Sequence, residues 1–241
     1  MALVKYTVMG EEHQAERGVS LLDELQRHGH DVPTLCHHKE VTPYGACRLC
    51  LVEVKKGKRA RLTTSCNYPV QEGIEVLLDT DRVKRNRKMV IELLLAQAPR
   101  APKRLREIAE QHGVTTSRFP PNGAEDCILC GLCARACEEV VGVNALTFSG
   151  RGDRKRMGVP YGEGSEVCIL CGACVYVCPV GCIDLSETQG KRRIRRWGRE
   201  LRMLVDEFGV PTMPDAQAEY MARRTGKPVE TFGRLPRASR E

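Results

Sequence analysis

Thirteen cysteines in two groups constrain this chain more than any other feature. Four lie within residues 36–66 and nine within 127–182, with none between and none after. No apolar run approaches the ~18–20 residues needed to cross a bilayer. The start, Met1-Ala-Leu-Val-Lys-Tyr-Thr-Val8, reads as a strand rather than as the charged, apolar and small-residue succession of a secretory leader. The expectation is therefore a cytoplasmic chain with no membrane insertion. Thiols stay reduced there, so cysteines in this number read as metal ligands rather than as disulfides. With 41% hydrophobic and 29% charged residues the chain is of the soluble globular class. One Trp and four Phe leave little for an aromatic-rich core.

The second group is an internal repeat. Cys127, Cys130, Cys133 and Cys137 follow C-x2-C-x2-C-x3-C, and Cys168, Cys171, Cys174 and Cys178 repeat it, with Pro179 next. In two-cluster bacterial ferredoxins the first three cysteines of such a run hold one [4Fe–4S] cube and the fourth ligates the other. One cluster would then take Cys127, Cys130, Cys133 and Cys178, and the other Cys168, Cys171, Cys174 and Cys137. Gly131 and Gly172 would let the backbone close on the cube. Tetrahedral zinc is the alternative, but zinc sites pair two short knuckles and have no use for a run of four ending in Cys-Pro. Cys182 falls outside the pattern and reads as a small buried thiol.

In the first group, Cys36, Cys47, Cys50 and Cys66 are spaced C-x10-C-x2-C-x15-C. Plant-type ferredoxins place C-x4-C-x2-C before a distant fourth cysteine to hold [2Fe–2S]. The first gap is longer here, yet the order is the same, with two thiolates for each iron. Zinc competes more seriously at this block, and the strand pattern around it favours iron–sulfur. His37 and His38 invite a Rieske reading, which would need two histidines in place of two cysteines; all four cysteines are present, so both read as loop residues.

The fold class expected is α+β. Residues 2–9 alternate as a strand, Gly10 turns into a second strand near Gln14–Arg17, and Ser20 caps a helix that Gly29 closes. Strand-like Leu51–Val54, Arg59–Thr64 and Gly73–Leu78 complete a β-grasp pattern. A helix over 81–97 would bury Val83, Val90, Ile91, Leu94 and Leu95, and a second would run from Lys103 to His112. The domains expected are a [2Fe–2S] β-grasp ferredoxin domain at 1–79, a helical linker at 80–123, a two-[4Fe–4S] ferredoxin domain at 124–187, and a basic helical docking tail at 188–241. In that tail Trp197, Leu201, Leu204, Val205 and Phe208 recur at helical spacing.

The stretch Pro33-Thr-Leu-Cys36-His37, with Gly45-Ala-Cys-Arg-Leu-Cys-Leu-Val-Glu53 and Arg87-Lys-Met-Val-Ile-Glu-Leu-Leu-Leu-Ala96, resembles a known family over roughly residues 1–186. Its members are the large peripheral iron–sulfur subunit of respiratory NADH dehydrogenase, the small diaphorase subunit of NAD-reducing [NiFe] hydrogenases, and subunits of NAD-dependent formate dehydrogenases. Size and the terminal dicluster block point to the hydrogenase type. The resemblance implies a hetero-oligomer in which a flavin/NAD(P)-binding subunit lies near the [2Fe–2S] domain and a catalytic hydrogenase, or formate dehydrogenase, near the dicluster domain. One departure stands out. The family carries H-x3-C-x2-C-x5-C after the helix that contains Arg87–Ala96, and Ala98–Phe119 contains no cysteine, so that further [4Fe–4S] cluster is expected to be absent.

The net charge of +7 is concentrated in Arg82–Arg106 and Lys191–Arg202. A solvated face and a docking surface for an acidic partner both fit. Nucleic acid ranks third and is not expected as a partner, because no aromatics interleave the basic runs and no binding motif is present; a zinc-bound nucleic-acid module is the remote alternative. There is no G-x-G-x-x-G after a strand and no phosphate loop, so neither flavin nor NAD is expected on this chain. No catalytic residue stands apart from the cysteines. The function expected is one-electron transfer through one [2Fe–2S] and two [4Fe–4S] clusters, by a non-catalytic subunit. The same role in an electron-bifurcating flavoenzyme, or a free-standing multi-cluster ferredoxin, are the alternatives. A succinate dehydrogenase-type subunit is disfavoured by the two complete four-cysteine runs.

Overall fold

The structure, a computed structural model, describes residues 2–121, 126–160, 165, 167–188, 191–196 and 199–201. It divides into two compact units, Met1–His37 with Pro43–Cys130, and His38–Thr42 with Gly131–Glu241.

In the first unit, strand β1 (Leu3–Val8) buries Val4, Tyr6 and Val8 on one face and leaves Leu3 exposed, as period-2 alternation requires. It pairs with β2 (Glu11–Glu16) through a two-residue turn at Met9 and Gly10, both at positive φ. That is the turn whose twist matches the flanking strands. Helix α1 (Leu21–Arg27) starts at Ser20, whose Oγ accepts from the Asp23 N–H at 3.4 Å, and seats Leu21, Leu22 and Leu25 in the core with Val52, Ile74 and Val76. Strands β3 (Leu51–Lys56), β4 (Arg59–Thr64) and β5 (Glu75–Leu77) complete a sheet of order β2-β1-β5-β3-β4. The β1–β5 pair is parallel and the others antiparallel. The hairpin, helix and further strands thus follow the order read from the sequence, and the chain is α+β.

Strand β3 is buried on both faces, from Leu51 through Val54. Val52 and Val54 face the α1 core, so Leu51 and Glu53 face the other way, toward helix α2 (Asp81–Gln97). Thr80 joins the two elements: its Oγ1 accepts from the Val83 N–H at 3.2 Å, capping α2, and donates to Glu53 Oε2 at 2.9 Å. Arg82 Nη1 adds a bond to Glu53 Oε1 at 3.1 Å, and these partners hold the Glu53 carboxyl below the usual carboxylate range, the Thr80 hydroxyl first among them. The buried stripe of α2 is Val83, Arg87, Ile91, Leu94 and Ala96. Val90 and Leu95, expected inside, are only half-buried, and an arginine occupies the stripe instead. Helix α3 (Lys103–Gln111) buries Leu105, Ile108 and Ala109 and packs on α2. Both helices, read from sequence as a linker, belong to this first unit.

In the second unit, α4 (Leu132–Arg135) runs into a wider π-helical turn over Ala136–Val141. Strands β6 (Thr147–Ser149) and β7 (Arg156–Gly158) form a hairpin, and α5 (Ala173–Tyr176) follows. Strands β8 (Ile183–Thr188), β9 (Lys191–Arg196) and β10 (Arg199–Leu201) make an antiparallel sheet of order β10-β9-β8. This corrects one expectation: the basic run at 191–196 is a central strand, not the approach to a helix. Its register places Arg192 opposite Glu187, and Arg195 opposite both Asp184 and Glu200, so both of these basic positions have an acidic one across the ladder. Trp197 and 202–241, which carry the rest of the expected helix, lie outside the described residues.

Candidate metal centres

All thirteen cysteines are reduced, none in a disulfide. Cys36, Cys47 and Cys50 lie in the long loop between α1 and β3, and Cys66 lies in a 3-10 turn (Ser65–Asn67) directly after β4. All four are buried, none more than 3% exposed. The cysteine loop is held in place from below. Ser65 donates to the Cys50 carbonyl twice, from its N–H at 2.9 Å and its Oγ at 3.0 Å. Gly45 is at φ +71, and a Cβ there would stand 2.9 Å from Asn67 Nδ2, whose side chain also accepts from Thr64 Oγ1. Only glycine fits that turn without strain.

The four thiols meet as two hydrogen-bonded pairs. Cys47 donates to Cys36, which together with burial pushes the Cys47 thiol well above its usual range. Cys66 donates to Cys50, which holds Cys50 down to about 7 and drives Cys66 far up. Backbone N–H groups are aimed at the sulfurs as well: Cys47 N–H lies 3.3 Å from Cys36 Sγ, and that of Cys66 is directed at Cys50. Soft sulfur donors, buried, in two pairs and served by backbone N–H groups, suit a two-iron cluster with two thiolates per iron. His37 hydrogen-bonds Asp23 Oδ1 at 3.1 Å, and His38 Nδ1 accepts from the Glu40 N–H at 3.3 Å. Both imidazoles are thus engaged with the loop and its neighbour α1.

The repeated runs share an unusual backbone. Leu129 (φ +52) and Leu170 (φ +49) are both left-handed, and Gly131 (φ +73) and Gly172 (φ +75) follow as left-handed starts of α4 and α5. Left-handed residues set two apart curl a short loop and can turn N–H groups toward one side, a concavity suited to anionic sulfur. Within the second unit Cys137, Cys168, Cys171 and Cys174 line one small cavity whose other walls are apolar, Val141 and Ile169 among them. Burial raises the thiols of Cys137 and Cys168, and pushes Cys174 up to about 12. The Ala145 N–H lies 3.2 Å from Cys137 Sγ. Four sulfurs around an apolar cavity fit a cubane cluster. Of the other set, Cys127 and Cys130 close the first unit, where Gln97 Nε2 donates to the Cys127 carbonyl at 3.2 Å, while Cys133 and Cys178 belong to the second.

Two residues have more to do than sequence reasoning assigned them. Cys182 Sγ lies 3.5 Å from Cys178 Sγ, and that contact, ahead of the N–H groups of Val180, Cys182 and Gly181, holds Cys178 down to about 6. Arg87 reaches from α2 to the carbonyls of Leu49 and Leu51. The signal for it was present: a basic residue one helical turn from both Val83 and Ile91, inside the apolar stripe.

Comparison with known proteins agrees with this geometry. Residues 2–81 match the 2Fe-2S iron-sulfur cluster binding domain, and residues 126–182 match the 4Fe-4S dicluster domain. The alpha subunit of the NADPH-Fe(3+) oxidoreductase of Geobacter sulfurreducens is 30% identical over 63% of this chain and 20% of its own length. A subunit of the NADH-quinone oxidoreductase of Rickettsia bellii is 27% identical over 99% of this chain and 37% of its own. The mitochondrial NADH-ubiquinone oxidoreductase 78 kDa subunit of Candida albicans is 28% identical over 86% and 31% respectively. The chain thus spans between 20% and 37% of these curated relatives. A chain of an NAD+-reducing [NiFe]-hydrogenase, solved in its H2-reduced state, superposes with a TM-score of 0.63 at 28% identity, covering 74% of this chain and 85% of that one. These matches bear out the resemblance carried by Pro33–Glu53 and Arg87–Ala96. Among the described residues no helix is long and apolar enough to cross a membrane.

Proposed function

We propose that this chain, an iron–sulfur protein related to subunits of NADH dehydrogenase and of NAD-reducing hydrogenase, is a cytoplasmic, non-catalytic relay subunit of a hetero-oligomeric NAD(P)-linked oxidoreductase. It would hold one [2Fe–2S] cluster at Cys36, Cys47, Cys50 and Cys66. One [4Fe–4S] cluster would sit at Cys127, Cys130, Cys133 and Cys178, and a second at Cys168, Cys171, Cys174 and Cys137. When bound, the clusters supply one-electron redox chemistry at potentials set by net charge, hydrogen bonds to sulfur and solvent exposure. The chain's own part is to hold the ligands rigidly, aim N–H groups at the sulfurs and keep water from the buried first set.

The observation that carries the reading is the convergence of thiols outside any disulfide, as two buried pairs in the first unit and as four lining one small cavity in the second. The second of these supports exchange of the fourth ligand between the repeats. The choice of partner rests on extent: the chain covers 85% of the hydrogenase chain but at most 37% of the curated relatives named above. A flavin/NAD(P) subunit and a hydrogenase are therefore the proposed neighbours. Purification of the native complex under anaerobic conditions tests this. Co-purification with a flavin-bearing subunit and a hydrogenase supports the assignment, and isolation with a formate dehydrogenase, or as a lone chain, overturns it.

A further inference from the structure

Arg87 is a buried cation with no carboxylate of the described residues beside it. Its residue is 8% exposed, whereas arginines are almost never buried without an ionic partner. Its Nε donates to the Leu49 carbonyl at 3.1 Å and its Nη2 to the Leu51 carbonyl at 2.6 Å. Those carbonyls flank Cys50, so the guanidinium grips the backbone on both sides of a proposed ligand. Neutral carbonyls accept from two of its N–H groups but do not balance its charge. No carboxylate oxygen of the described residues lies within 4.0 Å of it. The groups facing it are Cys50 and, from farther off, exposed Asp31; His112, itself held below its usual pKa by burial and by Arg87, brings no negative charge. Burial pulls the guanidinium's pKa down, and Cys50, ahead of Asp31, pulls it back up. A buried charge left uncompensated is strongly unfavourable, so a counter-charge is needed, and the described residues supply none at contact distance.

We infer that Arg87 is the counter-ion of the centre held by Cys36, Cys47, Cys50 and Cys66, a positioning residue that fixes Cys50 and raises that centre's reduction potential. The inference rests on the function proposed above. Four thiolates around two irons carry net negative charge, and each reduction adds one electron within reach of the guanidinium. A fixed positive charge in a dry site favours the added electron, and salt screens it little.

The test is potentiometric titration of the intact, iron-loaded chain, followed by the spectroscopic signal of the [2Fe–2S] centre, in wild type, Arg87→Met and Arg87→Lys. Arg87→Met is expected to keep its iron and shift the midpoint downward by about tenfold in the reduction equilibrium, ~59 mV for one electron. Arg87→Lys retains the charge and loses the fork, so its shift is expected to be clearly smaller. The difference between the two variants should survive added salt. An Arg87→Met protein with full iron and an unmoved potential overturns the inference, as does an equal shift in both variants. If Arg87→Met fails to assemble, Arg87→Lys decides: iron retained with a near-parental potential supports a charge role, and loss of the centre in both refutes it. A wild-type chain without a [2Fe–2S] signal defeats the proposed function itself, a result distinct from an unmoved potential.

Discussion

The turn at Gly45 sets the geometry of the first cysteine group, and replacing Gly45 by Ala gives a cost that can be worked from its surroundings. The residue is at φ +71, where an L side chain is disfavoured by roughly 1–2 kcal/mol. The new Cβ would stand 2.9 Å from Asn67 Nδ2, so the Asn67 side chain must move, and its bond from Thr64 Oγ1 is forfeited. A net hydrogen bond is worth about 1 kcal/mol, which brings the total to about 2–3 kcal/mol. Gly18→Ala is the internal control. That glycine is also left-handed, at φ +91, but nothing lies within 4 Å of its Cβ position, so only the backbone cost applies. Urea denaturation of the iron-loaded protein, read by loss of visible absorbance of the [2Fe–2S] centre, should rank wild type above Gly18→Ala and Gly18→Ala above Gly45→Ala. In an Asn67→Ala background, which already lacks both that bond and the obstructing side chain, adding Gly45→Ala should cost only about as much as Gly18→Ala costs in the wild type. If Gly45→Ala is as stable as Gly18→Ala, the crowding at Asn67 is not a constraint and the reasoning fails.

Further outcomes follow from the same structure. Cys137→Ala should cost the chain the cluster associated with Cys168, Cys171 and Cys174, about four of about ten iron, while Cys182→Ala should leave the iron count unchanged; loss of iron in the latter would make Cys182 a ligand. Glu53 has its folded-state pKa lowered by Thr80 and Arg82, so its contribution is present above the unfolded carboxylate pKa and disappears as pH falls through the folded value. The stability of Glu53→Gln should consequently decline less steeply on acidification than that of wild type, and parallel acid limbs would contradict this. Truncation after Leu201 should leave iron content intact, because β8–β10 are complete, whereas truncation after Gly190 removes β9 and β10 and is expected to expose an unpaired strand and lower solubility. Equal solubility of the two truncations would count against that sheet.

What was legible in the sequence was what is decided locally. The spacing of Cys127–Cys137 and Cys168–Cys178 fixes two loops by itself, and Ser20 and Gly29 mark the ends of α1 through capping chemistry and left-handed preference of their own. Residues whose role depends on distant partners were harder to see. The basic run 191–196 looks like a solvated or docking segment until its register against Asp184, Glu187 and Glu200 is known, and pairing register is not encoded in one strand alone. Leu129 and Leu170 give no hint of left-handed backbone, since a bulky residue rarely adopts it; the surrounding loop imposes it. Arg87 is buried on α2 while Val90 and Leu95 are only half-buried, because its partners are the carbonyls of Leu49 in the cysteine loop and Leu51 in β3, which hydrophobic periodicity does not register.

The central claim is that twelve of the thirteen cysteines hold three iron–sulfur clusters. Anaerobic isolation followed by metal and acid-labile sulfide analysis, with Mössbauer spectroscopy to divide the iron by cluster type, tests it most directly. About ten iron and ten sulfide per chain are expected, near one part [2Fe–2S] iron to four parts [4Fe–4S] iron. A preparation dominated by zinc, with little iron and no labile sulfide, would contradict the account.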